Sequence, residues 1–170
     1  MRIKRAFTLI EMMVALAILA LIASVTAIQV KKLIDTHRFE AEVGDLFIAL
    51  QEAQVLAAGY QTDFALDLYF KKGTLFYQLS TDEPLSKKKC NQAPIPLAHT
   101  ALFKCGGKKV TSLHLDIYSG GRVEPRELLS FSQDQSDDKA IWLDLRRGHL
   151  LKFFHHKPPA VKQQIPSQPK

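Results

Sequence analysis

Cysteine is scarce in this sequence, and its scarcity limits the chemistry that the chain can perform. The two cysteines, Cys90 and Cys105, are too few for a tetrahedral zinc site, and no C-x-x-C motif is present. An even number of cysteines is typical of a disulfide when the domain lies in an oxidising compartment. Closing a loop of about 15 residues would stabilise the fold by about 3 kcal/mol. Two free, buried thiols are the alternative.

The motifs of common enzymes are also missing. The sequence contains no H-E-x-x-H, P-loop, G-x-G-x-x-G or G-x-S-x-G. The acidic stretch at Asp134, Asp137 and Asp138 lacks the glycine and the glutamate that an EF-hand requires at its sixth and twelfth positions. Trp142 lies in an alternating segment, which favours a core position. We therefore expect no enzyme, no metal and no cofactor, but a protein that acts by binding.

Acidic residues are in the minority, yet the imbalance is too small to indicate a nucleic-acid-binding role. The chain has 170 residues, with 23 Lys and Arg against 17 Asp and Glu, a formal net charge of +6. Arg2, Lys4 and Arg5 precede a long apolar run, where the positive-inside rule places cations. Without these three, 20 basic residues face 17 acidic ones. A surplus of +3 spread over the chain is typical of a solvated surface.

The apolar run covers residues 7–28, about the length that crosses the hydrocarbon core of a bilayer. Glu11 interrupts it, although a charge at the centre of a membrane costs about 2.5–3.5 kcal/mol on insertion scales. Three interpretations compete. The run is a signal peptide cut after Ala27, a plain single-span anchor, or the start of a mature helix created by a cut between Ala6 and Phe7.

The third interpretation gives Glu11 a purpose. A cut before Phe7 creates an ammonium group one helical turn from the carboxylate of Glu11, on the same side of the helix. In a stack of such helices, each carboxylate can meet the ammonium of a neighbouring chain. Losing one member of a buried ion pair is costly, so the pair would fix the register of the stack.

The string KRAFTLIEMMVALAILALI closely resembles the N-terminal signature of type IV pilins and type II secretion pseudopilins. The resemblance covers about the first 30 residues. It implies cleavage by prepilin peptidase after Ala6, N-methylation of Phe7 and an assembly role for Glu11. The family usually has glycine before the cut, where this chain has Ala6. Because alanine is nearly as small, we expect cleavage to occur.

Apolar residues recur at helical spacing over residues 29–60. After that they recur at every second position, as in a β-strand. Gly59 is expected to end one helix of about 50 residues that also includes the anchor. Beyond it we expect six or seven antiparallel strands, with a loop at residues 81–97. The predicted fold is therefore α+β and pilin-like, a long N-terminal helix packed on a β head. The apolar stripe of the helix comprises Phe39, Val43, Leu46, Phe47, Leu50, Ala53 and Ala57.

The closing strands, IYSGGRVEPRELLSFS and AIWLDLRRGHLLKF, resemble those of H-type minor pseudopilins (GspH/FimT-like). Five segments are expected: a leader at 1–6, a transmembrane and filament-core helix at 7–28, an amphipathic helix at 29–60, a periplasmic head at 61–156 and a disordered tail at 157–170. The strand candidates are residues 64–70, 74–80, 101–105, 110–119, 126–132, 140–146 and 149–154.

The resemblance implies a minor pseudopilin of a type II secretion system, anchored in the bacterial inner membrane by a single span. Its expected partners are other major and minor pseudopilins, the prepilin peptidase and the inner-membrane secretion platform. One alternative is a minor type IV pilin for DNA uptake or adhesion, suggested by the basic stretches at 87–89, 108–109 and 146–147. Another is a soluble periplasmic protein with an ordinary signal peptide.

Overall fold

The structure is a computed structural model that describes residues 9–81, 93–134, 139–148 and 151–158. The chain divides into two compact units, Met1–Arg38 and Phe39–Lys170. Within the described residues there are one α-helix and ten β-strands. A long apolar N-terminal helix together with antiparallel sheets confirms the predicted α+β, pilin-like class.

Helix α1 spans Leu9–Tyr60 and contains no proline. Gly59 was expected to be the residue that terminates it, but Gln61, two residues later, takes that place. The helix passes through Gly59, and Gln61 adopts the left-handed conformation (φ 53°) that terminates it. The Thr62 N–H then donates to the Ala57 carbonyl at 3.2 Å. This backbone bond is typical of a helix that ends at a residue in the left-handed conformation.

The strands form two antiparallel five-stranded sheets, sheet A in the order β3-β2-β1-β6-β7 and sheet B in the order β10-β9-β8-β4-β5. Their bounds in chain order are β1 Phe64–Lys71, β2 Thr74–Thr81, β3 Ile95–Leu97, β4 Leu102–Cys105, β5 Lys108–Lys109, β6 Ser112–Ile117, β7 Val123–Glu124, β8 Leu128–Ser132, β9 Ile141–Asp144 and β10 Lys152–Phe154.

Ten strands exceed the six or seven that were predicted, and the reason is strand length. β5 and β7 have two residues each, too few for any alternation to be seen in the sequence. β3 lies inside the stretch that was expected to be loop, where it pairs with β2 at the edge of sheet A. Its Pro96 is tolerated because an edge strand can lack one N–H donor. Residues 82–92 of that predicted loop lie outside the described residues.

Tight turns set the register of the hairpins. Lys72 and Gly73 both have positive φ (52° and 84°), as a two-residue type I′ turn requires. The turn pairs Lys71 with Thr74, and the alternation of β1 then buries Leu66 and Leu68. Gly106 and Gly107 close the β4–β5 hairpin in the same way, so both predicted turns are confirmed.

The core lies where α1 meets the inner faces of both sheets. The predicted helical stripe is buried there, with Phe47 half-buried and its ring 5.6 Å from that of Phe153. Trp142 is buried in β9, as its alternating segment suggested. The buried members of the stripe are Phe39, Val43, Leu46, Leu50, Ala53 and Ala57.

Gln54 joins the helix to both sheets through one amide group. Its Nε2 donates to the Gly121 carbonyl at 2.6 Å and to the Gly148 carbonyl at 3.3 Å. Gly121 belongs to the turn between β6 and β7, and Gly148 to the turn between β9 and β10. The Val123 N–H also donates to the Gly148 carbonyl, at 3.2 Å. This one side chain therefore connects three elements of the second unit.

Replacing Gln54 with leucine should destabilise the second unit by about 1–3 kcal/mol, because two part-buried carbonyls each lose a donor. Thermal unfolding of the full chain in detergent, followed by near-ultraviolet circular dichroism, measures the change. Gln51→Leu is the matched control, since Gln51 is exposed on the same helix. Equal effects of the two substitutions would show that the Gln54 bonds contribute nothing specific.

Candidate functional site

The N-terminal part of α1 presents apolar side chains on all sides. Every residue whose exposure is described between positions 9 and 24 is exposed, including Leu9 at 82% and Leu21 at 68%. So continuous an apolar surface is unfavourable in water, at about 25 cal/mol for each Å². Lipid or other apolar helices therefore suit this segment better than water does.

The hydroxyl groups in this segment are satisfied within the helix itself. Ser24 Oγ donates to the Leu21 carbonyl at 2.8 Å. Thr26 Oγ1 lies 3.0 Å from both the Ile22 and the Ala23 carbonyls. Because a hydroxyl bonded to its own helix needs no water, these residues are compatible with an apolar surrounding.

Glu11 lies in the first turn of α1 and is exposed. A carboxylate at this position interacts favourably with the positive end of the helix dipole. Ala6 and Phe7, the predicted cleavage and methylation residues, lie outside the described residues. The predicted roles of Ala6, Phe7 and Glu11 therefore stay predictions.

Within the described residues, α1 is the one helix long and apolar enough to cross a bilayer, judged by length and composition. A family profile described as "Prokaryotic N-terminal methylation motif" matches residues 1–27. Searches of curated proteins and of solved structures gave no significant match.

The motif supports a type IV pilin-like protein. It indicates a structural protein rather than an enzyme family, processed by prepilin peptidase and assembled with other pilin-like subunits. A helix of the prepilin type suggests membrane anchoring. The match covers the same residues that carried the sequence resemblance. Neither the H-type resemblance nor the choice between a secretion system and a pilus is decided by it.

A cluster that sequence reasoning missed lies on the outer face of sheet A. His114 of β6 is paired in register with Asp67 of β1. Its Nδ1 lies 2.6 Å from Asp67 Oδ1, and its Nε2 lies 3.2 Å from Asp116 Oδ1. The hydrogen bond to Asp67, aided by the charges of both carboxylates, raises the pKa of His114 above its usual value.

Raising the pH should therefore weaken the second unit slightly. A histidine whose pKa is raised by folding stabilises the fold fully below its unfolded pKa, near 6.5, and loses that contribution as the pH rises through the folded pKa. Histidine NMR titration of the full chain in detergent should give a pKa for His114 above 6.5. Asp67→Asn should lower it more than Asp116→Asn does, and an unchanged value in Asp67→Asn would contradict the geometry.

Two further side-chain contacts, each to a carboxylate, connect parts of the second unit. Glu42 of α1 accepts the backbone N–H of His99 at 3.0 Å and also contacts His99 Nδ1 at 2.7 Å. Arg146 donates from Nε and Nη2 to the two carboxylate oxygens of Asp144, at 2.8 and 2.7 Å. The bond from Arg146 lowers the pKa of Asp144. Arg146, one of the basic residues considered for DNA binding, is therefore committed to an internal partner.

Cys105 ends β4 and is half-buried. Burial, followed by the nearby carboxylate of Glu127, raises the pKa of the Cys105 thiol. Its predicted partner, Cys90, lies outside the described residues, so the disulfide stays a prediction. In the part of the chain that is described, no group of three or more His, Cys, Asp and Glu side chains could hold a metal ion.

Proposed function

We propose that the chain is a minor pseudopilin, a structural subunit of the periplasmic pseudopilus of a type II secretion system. The methylation motif at residues 1–27 carries this proposal. The closing strands, which resemble those of H-type pseudopilins, support the assignment to secretion. In this role the subunit drives other proteins outward by assembling, and it performs no covalent chemistry itself.

Processing prepares the subunit for assembly. Prepilin peptidase removes residues 1–6, and the α-amino group of Phe7 is methylated. The segment at 7–28 first anchors the subunit in the inner membrane, with its head in the periplasm, and then enters the filament core. Its apolar side chains pack equally well against lipid or against other apolar helices, so the transfer costs little.

Glu11 supplies the specific contact in this scheme. The ammonium of Phe7 on one subunit meets the carboxylate of Glu11 on its neighbour, in surroundings of low dielectric. A buried charge without its partner costs about 3–5 kcal/mol. Helices that slide out of register would leave both charges unpaired, so the pair selects a single register.

The mature N-terminus gives the first test. Peptide mass spectrometry of the protein from its native membrane should find a chain that begins at methylated Phe7. The site after Ala6 should be cut despite the absence of glycine, and Ala6→Gly should be cut at least as completely. A chain that begins at Ile28 would mean an ordinary exported protein and would end the proposal.

Substitution of Glu11 tests the assembly contact. Glu11→Ala should be cleaved and methylated normally, but it should fail to enter the filament and should not restore secretion in a strain that lacks this chain. Glu11→Asp keeps the charge and should retain part of the activity. Co-purification with the other pseudopilins reports assembly, and the level of secreted proteins in the medium reports function.

The same strain separates the two candidate functions. Loss of DNA uptake or adhesion with unchanged secretion would favour a minor type IV pilin. Among the basic stretches that suggested DNA binding, Arg146 is held by Asp144, so one of these cations already has an internal partner. This pairing and the resemblance of the closing strands to H-type pseudopilins favour the proposal of secretion.

A further inference from the structure

A cavity of about 340 Å³ lies between helix α1 and the edge of sheet A, entirely within the second unit. One wall is a stripe of α1 that begins at Asp45 and ends at Tyr60. The opposite wall is formed by β2 and β3, which pair so that Tyr77 lies opposite Ile95. A cavity of this volume falls in the range that holds small organic ligands.

The helical wall alternates between charged and apolar side chains. Asp45 and Glu52 are exposed, and they lie seven residues apart, which corresponds to about 10.5 Å along the helix. Ile48 and Ala49 lie between them, and Ile48 is 59% exposed. The helix therefore presents a carboxylate, an apolar surface and a second carboxylate in succession.

The cavity has a local negative charge that no neighbouring cation balances. Neither Asp45 nor Glu52 has an ion-pair partner within the described part of the chain. Among the described residues, no Lys, Arg or His lines the cavity. The chain as a whole carries a formal net charge of +6, so attraction of a cation to this place would be a property of the cavity and not of the net charge.

Tyr77 provides an independent indication that the cavity binds a polar group. Only 5% of its surface is exposed, and it lines the cavity. Its hydroxyl has no hydrogen-bond partner in the part of the chain that is described, although a buried tyrosine hydroxyl usually has one. Unlike Thr100 Oγ1, which is fully enclosed without a partner, the Tyr77 hydroxyl keeps access to the cavity.

The protonation state of Tyr77 suits a cationic ligand. Burial, followed by the charge of Asp45, raises the pKa of Tyr77 above its ordinary value near 10. The hydroxyl is therefore neutral at pH 7, and its oxygen can accept a hydrogen bond from an ammonium group.

We propose that this cavity binds a linear aliphatic polyamine. Its ammonium groups meet the carboxylates of Asp45 and Glu52, and its methylene groups pack on Ile48. The hydroxyl of Tyr77 accepts a hydrogen bond from the ammonium group beside Asp45. This role goes beyond the proposed function, and it does not depend on processing at Phe7, because every residue of the cavity lies in the second unit.

Other cations match these features less well. A calcium or magnesium ion needs oxygen ligands at about 2.0–2.6 Å, and the described residues contain no group of three or more His, Cys, Asp and Glu side chains that could hold a metal ion. A monoamine has a single charge for two carboxylates that lie two helical turns apart. A polyamine has charges at both ends and an apolar chain between them.

Calorimetric titration of the full chain in detergent with spermidine tests the proposal. Spermidine should bind at one site per chain. n-Butylamine, which has an aliphatic chain but one ammonium group, should bind at least about tenfold more weakly, because it can form one of the two ion pairs. Mg²⁺ at the same concentration should not displace spermidine, since it cannot use the apolar surface.

Substitutions in the cavity provide the second measurement. Asp45→Asn with Glu52→Gln should weaken spermidine binding by about tenfold, since two exposed ion pairs are lost. Tyr77→Phe keeps the ring and removes the hydroxyl, which should weaken binding by about threefold to tenfold. Near-ultraviolet circular dichroism checks that each variant is folded.

A matched pair of substitutions outside the cavity is the control. Glu127→Gln with Asp134→Asn removes two negative charges from exposed positions and should leave the affinity for spermidine unchanged.

The outcomes decide the proposal separately from the proposed function. One site that responds to the cavity variants and not to the control establishes it. No binding, or an equal loss in the cavity and control variants, overturns it. Equal affinity for n-butylamine would show that the cavity takes one isolated cation, such as a lysine side chain of another protein, and would overturn the assignment to a polyamine. None of these results bears on where the mature chain begins.

Discussion

The exposed apolar surface of residues 9–28 is the constraint on which the other features of this chain depend. No folding of the helix itself can hide a surface that is apolar on every side. Lipid or other apolar helices suit it better than water does, and the internal hydrogen bonds of Ser24 and Thr26 are compatible with both. A carboxylate at position 11 is a liability in such surroundings unless a cation is provided. In the proposed function, cleavage before Phe7 would supply that cation as a new N-terminal ammonium.

The later part of α1, residues 39–57, packs against the sheets instead. Over residues 39–57 one side of the helix is apolar and buried, and Gln54 fastens it to turns of both sheets. The opposite side stays exposed, with Ile48 and Val55 among acidic residues. Singly exposed apolar side chains are common at protein surfaces, so these two residues do not alter the role of this part of α1 as the core element of the second unit.

The parts of the structure that could be predicted from the sequence depend on local patterns of residues. The helical stripe, the turns at Lys72–Gly73 and Gly106–Gly107 and the buried Trp142 all follow from spacing and residue type within a few positions. Strands of two or three residues are too short for an alternation of apolar and polar residues to be detected. Contacts such as Glu42 with His99 and Asp67 with His114 join positions 57 and 47 residues apart, so they depend on a register that no local pattern contains. The roles of Ala6, Phe7 and Glu11 could be predicted because their motif is local.

Two kinds of ion pair in this chain differ in what they contribute. In the proposed function, the pair between Phe7 and Glu11 lies in apolar surroundings, where a missing partner is costly, so it acts as a condition for assembly. The pair between Arg122 and Glu124 lies at an exposed surface and contributes at most about 1 kcal/mol. Because salt screens exposed pairs more than pairs in apolar surroundings, raising the ionic strength should weaken the surface pair and leave the contact of Phe7 with Glu11 largely intact.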